Sequence, residues 1–192
     1  SLRIATMVTG LGCPFKCTFC TNSTIFMNTR FRSTENVGEE ARYLKEKYNI
    51  EGIRFEDDLL ILNKKRTKEL CEALKDTGLK WAGHVIGRTA DNEELVKMVS
   101  ESGCVGLGIG IETASDRLLT AMRKDSRTKH YQNAFNFAVK YGIGIRVQLM
   151  YGSPGESKET LQETIDWFRK TELPPRKFNK LLPMPGSLNY DQ

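Results

Sequence analysis

The chain has 192 residues, of which 39% are apolar and 28% are charged, and this balance supports one hydrophobic core and one globular domain over residues 1–192. No run reaches the ~18 consecutive apolar residues of a membrane span, and the N-terminus lacks the pattern of a secretory signal, so we expect a cytoplasmic protein without membrane contact. The net charge of +5 is mild and mixed with acidic residues, which favours a solvated surface over nucleic-acid binding.

Short apolar runs alternate with amphipathic segments along the chain, which is the pattern of a repeating βα unit. Between the runs, apolar residues recur with the helical period. Asp91 followed by Glu94 predicts a helix start, and Gly142 predicts a helix end. The predicted strands are residues 3–10, 52–58, 79–87, 104–112, 144–152 and 176–186. The apolar helix faces are predicted to carry Val37, Ala41, Leu44, Tyr48, Leu70, Ala73, Leu74, Thr77, Tyr131, Ala134, Phe135 and Ala138.

Strands that alternate with crossover helices form a parallel sheet, and eight such units close into a barrel of typically ~250 residues. The present length is sufficient for six units. The predicted fold class is therefore α/β, a partial (β/α)6 TIM-like barrel that is open at one edge, with the sixth helix and any accessory domain expected to be absent. Unpaired sheet edges are normally covered, so we expect a partner chain or an accessory domain at the open edge.

In barrels of this kind, functional residues collect where the strands end and the loops begin. Each predicted strand is followed by chemically distinctive residues. Taken singly, some have structural explanations, because carboxylates cap helices and glycines turn the chain. Their recurrence on one face of the sheet indicates a functional site. The residues concerned are the cysteines after the first strand, Glu56, Asp57, Asp58, Arg88, Glu112 and the segments "YGSPGE" and "PMPGS".

The segment "GCPFKCTFC" contains Cys13, Cys17 and Cys20 in a C-x3-C-x2-C spacing. Thiolates select zinc, copper(I) or iron-sulfur clusters. A closed zinc site takes four ligands, and the two histidines, His84 and His130, are distant in the sequence. A cubane cluster held by three cysteines leaves one iron open for a substrate. A zinc or iron-sulfur binding module without turnover, and a barrel with unpaired thiols, remain alternatives.

The two other cysteines are interpreted as small core residues. Cys71 lies within an amphipathic segment, and Cys104 opens an apolar strand. We therefore expect no second, auxiliary cluster.

The chain resembles the core domain of the radical S-adenosylmethionine (SAM) superfamily, and its motifs are closest to radical SAM proteins of the B12-binding-domain type. The resemblance extends over nearly the whole chain, although we expect the cobalamin-binding domain that usually precedes this core to be absent. A second departure is the strand-two motif, where Asp57 and Asp58 replace a Gly-Gly-Glu-like sequence. The motifs that carry the resemblance are "LGCPFKCTFC", "RFRSTENV", "FEDD", "GIGIET", "GSPGE" and "PMPGSLNY".

The resemblance implies that the three clustered cysteines each ligate one iron of a 4Fe-4S cluster. SAM would chelate the fourth iron through its amino and carboxylate groups, and reductive cleavage would release methionine and a 5'-deoxyadenosyl radical that abstracts hydrogen from the substrate. The resemblance leaves unknown which side chains beyond these ligands are catalytic. The resemblance also implies contacts to SAM: Asp57 or Asp58 to its amino group, Glu112 and Gln148 to the ribose or methionine portion, Arg88 or Lys124 to the carboxylate, and Phe19, Gly152 and Pro185 beside the adenine.

The same resemblance implies an enzyme, an oxidoreductase or a transferase, whose substrate the sequence does not reveal. A low-potential electron donor of the flavodoxin or ferredoxin type would be needed. Because such donors are commonly acidic, the net charge of +5 favours docking by electrostatic steering.

Overall fold

A computed structural model of the chain describes residues 2–26, 28–171 and 177–190. The strands are β1 (Ile4–Met7), β2 (Gly10–Leu11), β3 (Arg30–Phe31), β4 (Gly52–Phe55), β5 (Lys80–His84), β6 (Cys104–Glu112), β7 (Gly144–Tyr151) and β8 (Lys177–Lys180). The helices are α1 (Asn22–Ile25), α2 (Thr34–Tyr48), α3 (Lys64–Lys75), α4 (Gly87–Ala90), α5 (Glu93–Glu101), α6 (Asp116–Ala121), α7 (Thr128–Lys140) and α8 (Lys158–Thr171).

Six strands form one parallel sheet in the order β1-β4-β5-β6-β7-β8, and the sheet curls into an open half-barrel. Neighbouring strands in the sheet are joined through helices, as parallel pairing requires. The predicted fold class, an open partial (β/α)6 barrel, is confirmed. In the part of the chain that the structure describes, β1 and β8 are the edge strands, and their coverage by a partner or a further domain stays a prediction.

The two faces of the sheet have different side chains because successive residues of a strand point to opposite sides. One face packs against the helices and forms the main core, while the other lines the concave side of the half-barrel. The core face includes Ile53, Phe55, Trp81, Leu107, Ile109 and Val147. The concave face includes Arg54, Ala82, His84, Gly106, Gly108, Gly110, Arg146 and Gln148.

The helix signals are confirmed with small shifts. In α7 the predicted apolar face is buried, and Gly142 follows that helix with a φ of 68°. The start predicted at Asp91 is wrong by one residue, because the side chain of Asn92 accepts a hydrogen bond from Leu95 N (3.0 Å) and caps α5. Tyr48, predicted on the apolar face of α2, is exposed in the last turn, where its ring contacts that of Tyr43.

The first predicted strand, residues 3–10, is divided in the structure. The sheet strand ends at Met7, and Gly10–Leu11 pairs instead with Arg30–Phe31 in a small antiparallel ribbon. The physical reason is Asp57, which is only 2% exposed and accepts hydrogen bonds from Thr9 N (3.1 Å) and Thr9 Oγ1 (2.7 Å).

The last predicted strand, residues 176–186, is shorter than expected. The strand β8 ends at Lys180, and the following residues form irregular chain and turns. Arg176, the first residue of the predicted segment, lies outside the described residues.

Replacing Asp57 by alanine should destabilise the chain by roughly 3 kcal/mol, because the buried N–H and hydroxyl of Thr9 would lose their acceptor. Urea denaturation of the cluster-free protein measures this loss. The matched control is Asp76→Ala at the exposed end of α3, which should shift the midpoint little. Equal midpoints for the two variants would contradict the structural role assigned to Asp57.

Candidate active site

The three clustered cysteines lie in a loop between β2 and α1, at the carboxyl ends of the sheet strands. Gly12 enters this loop with a φ of 87°, a conformation suited to glycine, and its N–H donates to Asp58 Oδ2 (3.1 Å). In the middle of the loop, Thr18 N donates to Met122 O (3.0 Å), and Thr18 O accepts from Asn189 N (3.0 Å). The loop is therefore held between the segment after α6 and the C-terminal turn.

The thiols of Cys13, Cys17 and Cys20 are half-buried and unbridged. Burial raises the pKa of Cys17 to about 11, a shift that the nearby Lys124 opposes and the neighbouring cysteines reinforce. Burial also raises the pKa of Cys13, and Cys20 adds to that shift. The three thiols thus lie close enough for their charges to interact. Among the described residues, no three His, Cys, Asp or Glu side chains converge to hold a single metal ion.

A buried ion pair lies beside the cysteine loop. Lys124 Nζ lies 2.9 Å from Glu112 Oε1, and the two side chains are only 11% and 12% exposed. Glu112 ends β6 at a break in the strand register and has a φ of 65°, an uncommon conformation for a side chain other than glycine. Gly110 makes room for the pair, because a Cβ at that position would collide with the Glu112 carboxylate.

Lys124 is a cation at this site. Burial alone lowers its pKa, but the charges of Glu112, Tyr131 and Cys17 together raise the pKa above the ordinary lysine value. The Lys124 ammonium also lies 5.7 Å from the centre of the Phe19 ring. The Glu112–Lys124 pair therefore places a carboxylate and an ammonium group in fixed positions next to the thiols.

An apolar cluster borders the same loop. Phe19, between Cys17 and Cys20, packs against a small group of buried side chains, which are Leu118, Met122, Met150 and Leu181. This group is separate from the main core and gives the cysteine end of the half-barrel an apolar wall.

The structure brings some of the remaining predicted residues to this end. Asp58 contacts the loop at Gly12, and Gln148 lies on the concave face beside Gly110. Gly152, with a φ of 85°, follows β7, and its N–H donates to Glu156. Pro185 lies in an exposed turn. Their contacts to SAM stay predictions.

Two predicted residues point elsewhere. The Asp57 carboxylate accepts hydrogen bonds from Thr9. The Arg88 side chain, 63% exposed, forms an ion pair with Asp125 (2.8 Å) at the surface. Sequence reasoning did not identify Met122 and Asn189, whose backbones hold the cysteine loop, because hydrogen bonds from the main chain leave no signal in residue type. Gly110 could have been found, since glycine occupies alternate positions of β6 that face the concave side.

Residues 7–168 match the family described as the Radical SAM superfamily. The chain belongs to the radical SAM superfamily. Over 94% of its length it is 33% identical to an uncharacterized methyltransferase of Pyrococcus horikoshii, covering 40% of that protein. Over 96% of its length it is 30% identical to the cytidylyl-2-hydroxyethylphosphonate methyltransferase of Streptomyces wedmorensis, covering 36% of it.

The half-barrel is also similar to solved radical SAM structures. The radical SAM methyltransferase TsrM of Kitasatospora setae, solved with cobalamin and a 4Fe-4S cluster bound, gives a TM-score of 0.87 at 18% identity. That match covers 96% of this chain and 38% of TsrM. A second TsrM structure, at a TM-score of 0.84, contains tryptophan as substrate and a SAM analogue. The chain thus has the fold of enzymes that bind a 4Fe-4S cluster and SAM, and spans about two fifths of these relatives.

Across residues 2–26, 28–171 and 177–190, no helix is both long enough and apolar enough to cross a bilayer.

Proposed function

We propose that the chain is the catalytic core of a radical SAM enzyme, in which Cys13, Cys17 and Cys20 each bind one iron of a 4Fe-4S cluster. The observation that carries this proposal is the arrangement of three half-buried, unbridged thiols in one loop that is held at the strand ends beside Glu112 and Lys124. Three thiolates suit a cluster with an open iron, and each ligates its own iron, so they need not converge on one point.

When bound, the reduced cluster supplies the electron that cleaves SAM into methionine and a hydrogen-abstracting 5'-deoxyadenosyl radical. The protein's own residues bind and orient the cluster and SAM. Lys124 places a positive charge near Cys17, which favours the thiolate that ligation requires. The Glu112–Lys124 pair offers one acceptor and one cation to the zwitterionic methionine end of SAM. Phe19 and its apolar neighbours exclude water from the same end.

For the net reaction we favour transfer of a methyl group. The support is the pair of methyltransferases to which the chain is 33% and 30% identical. A relative from Cereibacter sphaeroides, 28% identical, is instead an anaerobic magnesium-protoporphyrin IX monomethyl ester cyclase, so the proposal of SAM cleavage is kept separate from that of methyl transfer.

Anaerobic reconstitution with iron and sulfide tests the proposal. We expect about four irons and four sulfides per chain and, with a strong reductant, formation of 5'-deoxyadenosine from SAM. A reconstituted chain that binds zinc in preference to iron, or remains without metal, would overturn the cluster assignment. Full iron content without any SAM cleavage would identify a binding module instead of an enzyme.

The electron donor should be attracted to the chain by electrostatic interactions. The chain carries a net charge of +5, and we propose a small acidic donor of the flavodoxin or ferredoxin type. The rate of flavodoxin-driven SAM cleavage should then fall several-fold between about 50 mM and 500 mM salt, because screening shortens the range of the attraction. Cleavage driven by dithionite, which needs no docking, is the control. Equal salt dependence of the two rates would contradict electrostatic docking.

A further inference from the structure

A cleft of about 210 Å³ opens on the concave face of the half-barrel, outside the set of residues that surround the cysteines. It is lined by β4, β5, β6 and β7. Much of the surface at the bottom of the cleft is backbone, because β6 and β7 have glycines at neighbouring positions that face the concave side. The residues on which the argument depends are Arg54, His84, Gly106, Gly108, Gly144 and Arg146.

The polar side chains that line this cleft are two arginines and a histidine. Arg54 lines it from β4 and is partly neutralised by Glu56, with which it forms an ion pair. His84 lies across Gly108, so close that a Cβ on Gly108 would collide with the imidazole ring. Arg146 extends from β7 beside Gly108, and among the described residues its guanidinium makes no hydrogen bond or ion pair. The cleft therefore holds an exposed cation with unused donors above a glycine floor.

The position of the cleft relates it to the cysteine end. Arg146 pairs with Gly108, and Gln148 pairs with Gly110, so the two side chains follow each other along the concave face toward Glu112. From Gly108 to Glu112 is four residues of β6, or about 13 Å at the usual rise of a strand. A molecule in the cleft would thus extend along the concave wall toward the thiols.

We propose that this cleft binds the anionic group of the enzyme's substrate, a carboxylate or a phosphate-type group, with Arg146 as its main ligand and Arg54 and His84 beside it. The inference rests on the proposed function, because the reacting carbon would lie at the cysteine end. A guanidinium matches the two oxygens of such a group, and the glycines leave room for it to approach the sheet. The substrate is accordingly elongated, with its anionic group at the cleft and the carbon that reacts at the cysteine end of the half-barrel.

Calorimetric titration of the full chain with inorganic pyrophosphate, and in a second arm with succinate, tests this assignment and distinguishes phosphate from carboxylate. We expect saturable binding of at least one anion at one site, weakened about tenfold or more in Arg146→Gln. The matched control is Arg169→Gln on α8, which removes the same charge outside the cleft and should leave the affinity unchanged. Equal losses in the two variants, or no binding of either anion, would overturn the proposal.

A second variant blocks the cleft without altering its charge. A Cβ at Gly106 would lie 3.5 Å from Ala82 Cβ and 3.8 Å from Gly144 O, which are ordinary contacts, so Gly106→Val should fold and fill the space. We expect it to lose anion binding while its thermal midpoint stays close to that of the parent. Unchanged anion affinity in a folded Gly106→Val would refute the location. Iron counts on reconstituted samples decide the proposed function separately, because the anion titrations need no cluster.

Discussion

Alanine at any one of Cys13, Cys17 or Cys20 should prevent full assembly of the cluster and abolish reductive SAM cleavage. Each substitution removes one thiolate, and the loop offers no replacement, because the other side chains between Cys13 and Cys20 are proline, aromatic, basic or hydroxylic. The loop itself should persist, since Met122 O and Asn189 N hold it through main-chain atoms. Iron and sulfide counts after anaerobic reconstitution, followed by an assay for 5'-deoxyadenosine, measure the effect.

The matched controls are alanine substitutions of the two remaining cysteines. Both Cys71 and Cys104 are 4% exposed, and burial raises the pKa of Cys104 to about 12, which keeps it a protonated thiol. Their replacement should cost about 1 to 2 kcal/mol of packing and leave iron content intact. Full iron content in Cys17→Ala would refute the ligand assignment. Iron loss in a folded Cys104→Ala would show that a ligand had been interpreted as core.

The fold and the clustering of the three cysteines in one loop could be predicted from sequence because their signals are local. Most strands of the half-barrel are short segments rich in apolar residues and glycine, and the C-x3-C-x2-C spacing fits inside one loop. The buried face of α7 follows from residue periodicity alone, and the structure confirms it. Such features need no knowledge of which distant segments come into contact.

The arrangement around the thiols could not be predicted in the same way. Asp57 and Asp58 are adjacent and chemically identical, yet they have different partners. Asp57 accepts hydrogen bonds from Thr9, and Asp58 accepts one from the N–H of Gly12. That difference depends on the chain leaving the sheet after Met7, which is decided by tertiary contacts. Similarly, Lys124 reaches Glu112 because the chain turns after α6.

Replacing Glu112 by alanine should have two effects, since its carboxylate lies in a buried ion pair and is also proposed to contact SAM. The first is a loss of roughly 3 kcal/mol in the free energy of unfolding, because Lys124 would remain as a nearly buried, unpaired cation. The second is weaker SAM binding, by about 1.5 to 3 kcal/mol if a charge-assisted hydrogen bond is lost. Urea denaturation and anaerobic calorimetry with SAM measure the two effects. Replacing Glu93 by alanine in the exposed pair with Lys140 is the control, and it should lower the free energy of unfolding only slightly and leave SAM binding unchanged.

A double variant, Glu112→Gln with Lys124→Met, separates stability from binding. It removes both charges together and keeps the side-chain volumes, so stability should return to within about 1 kcal/mol of the parent, while SAM affinity stays reduced. Since the folded-state pKa of Lys124 lies above its ordinary value, the Lys124 charge contributes to the stability of the parent from neutral pH up to about pH 10, and this contribution is lost only as the pH rises through the raised value. Recovery of SAM affinity together with stability would contradict a contact between the pair and SAM, because a neutral pair of the same shape can restore packing but cannot replace a charged donor and acceptor.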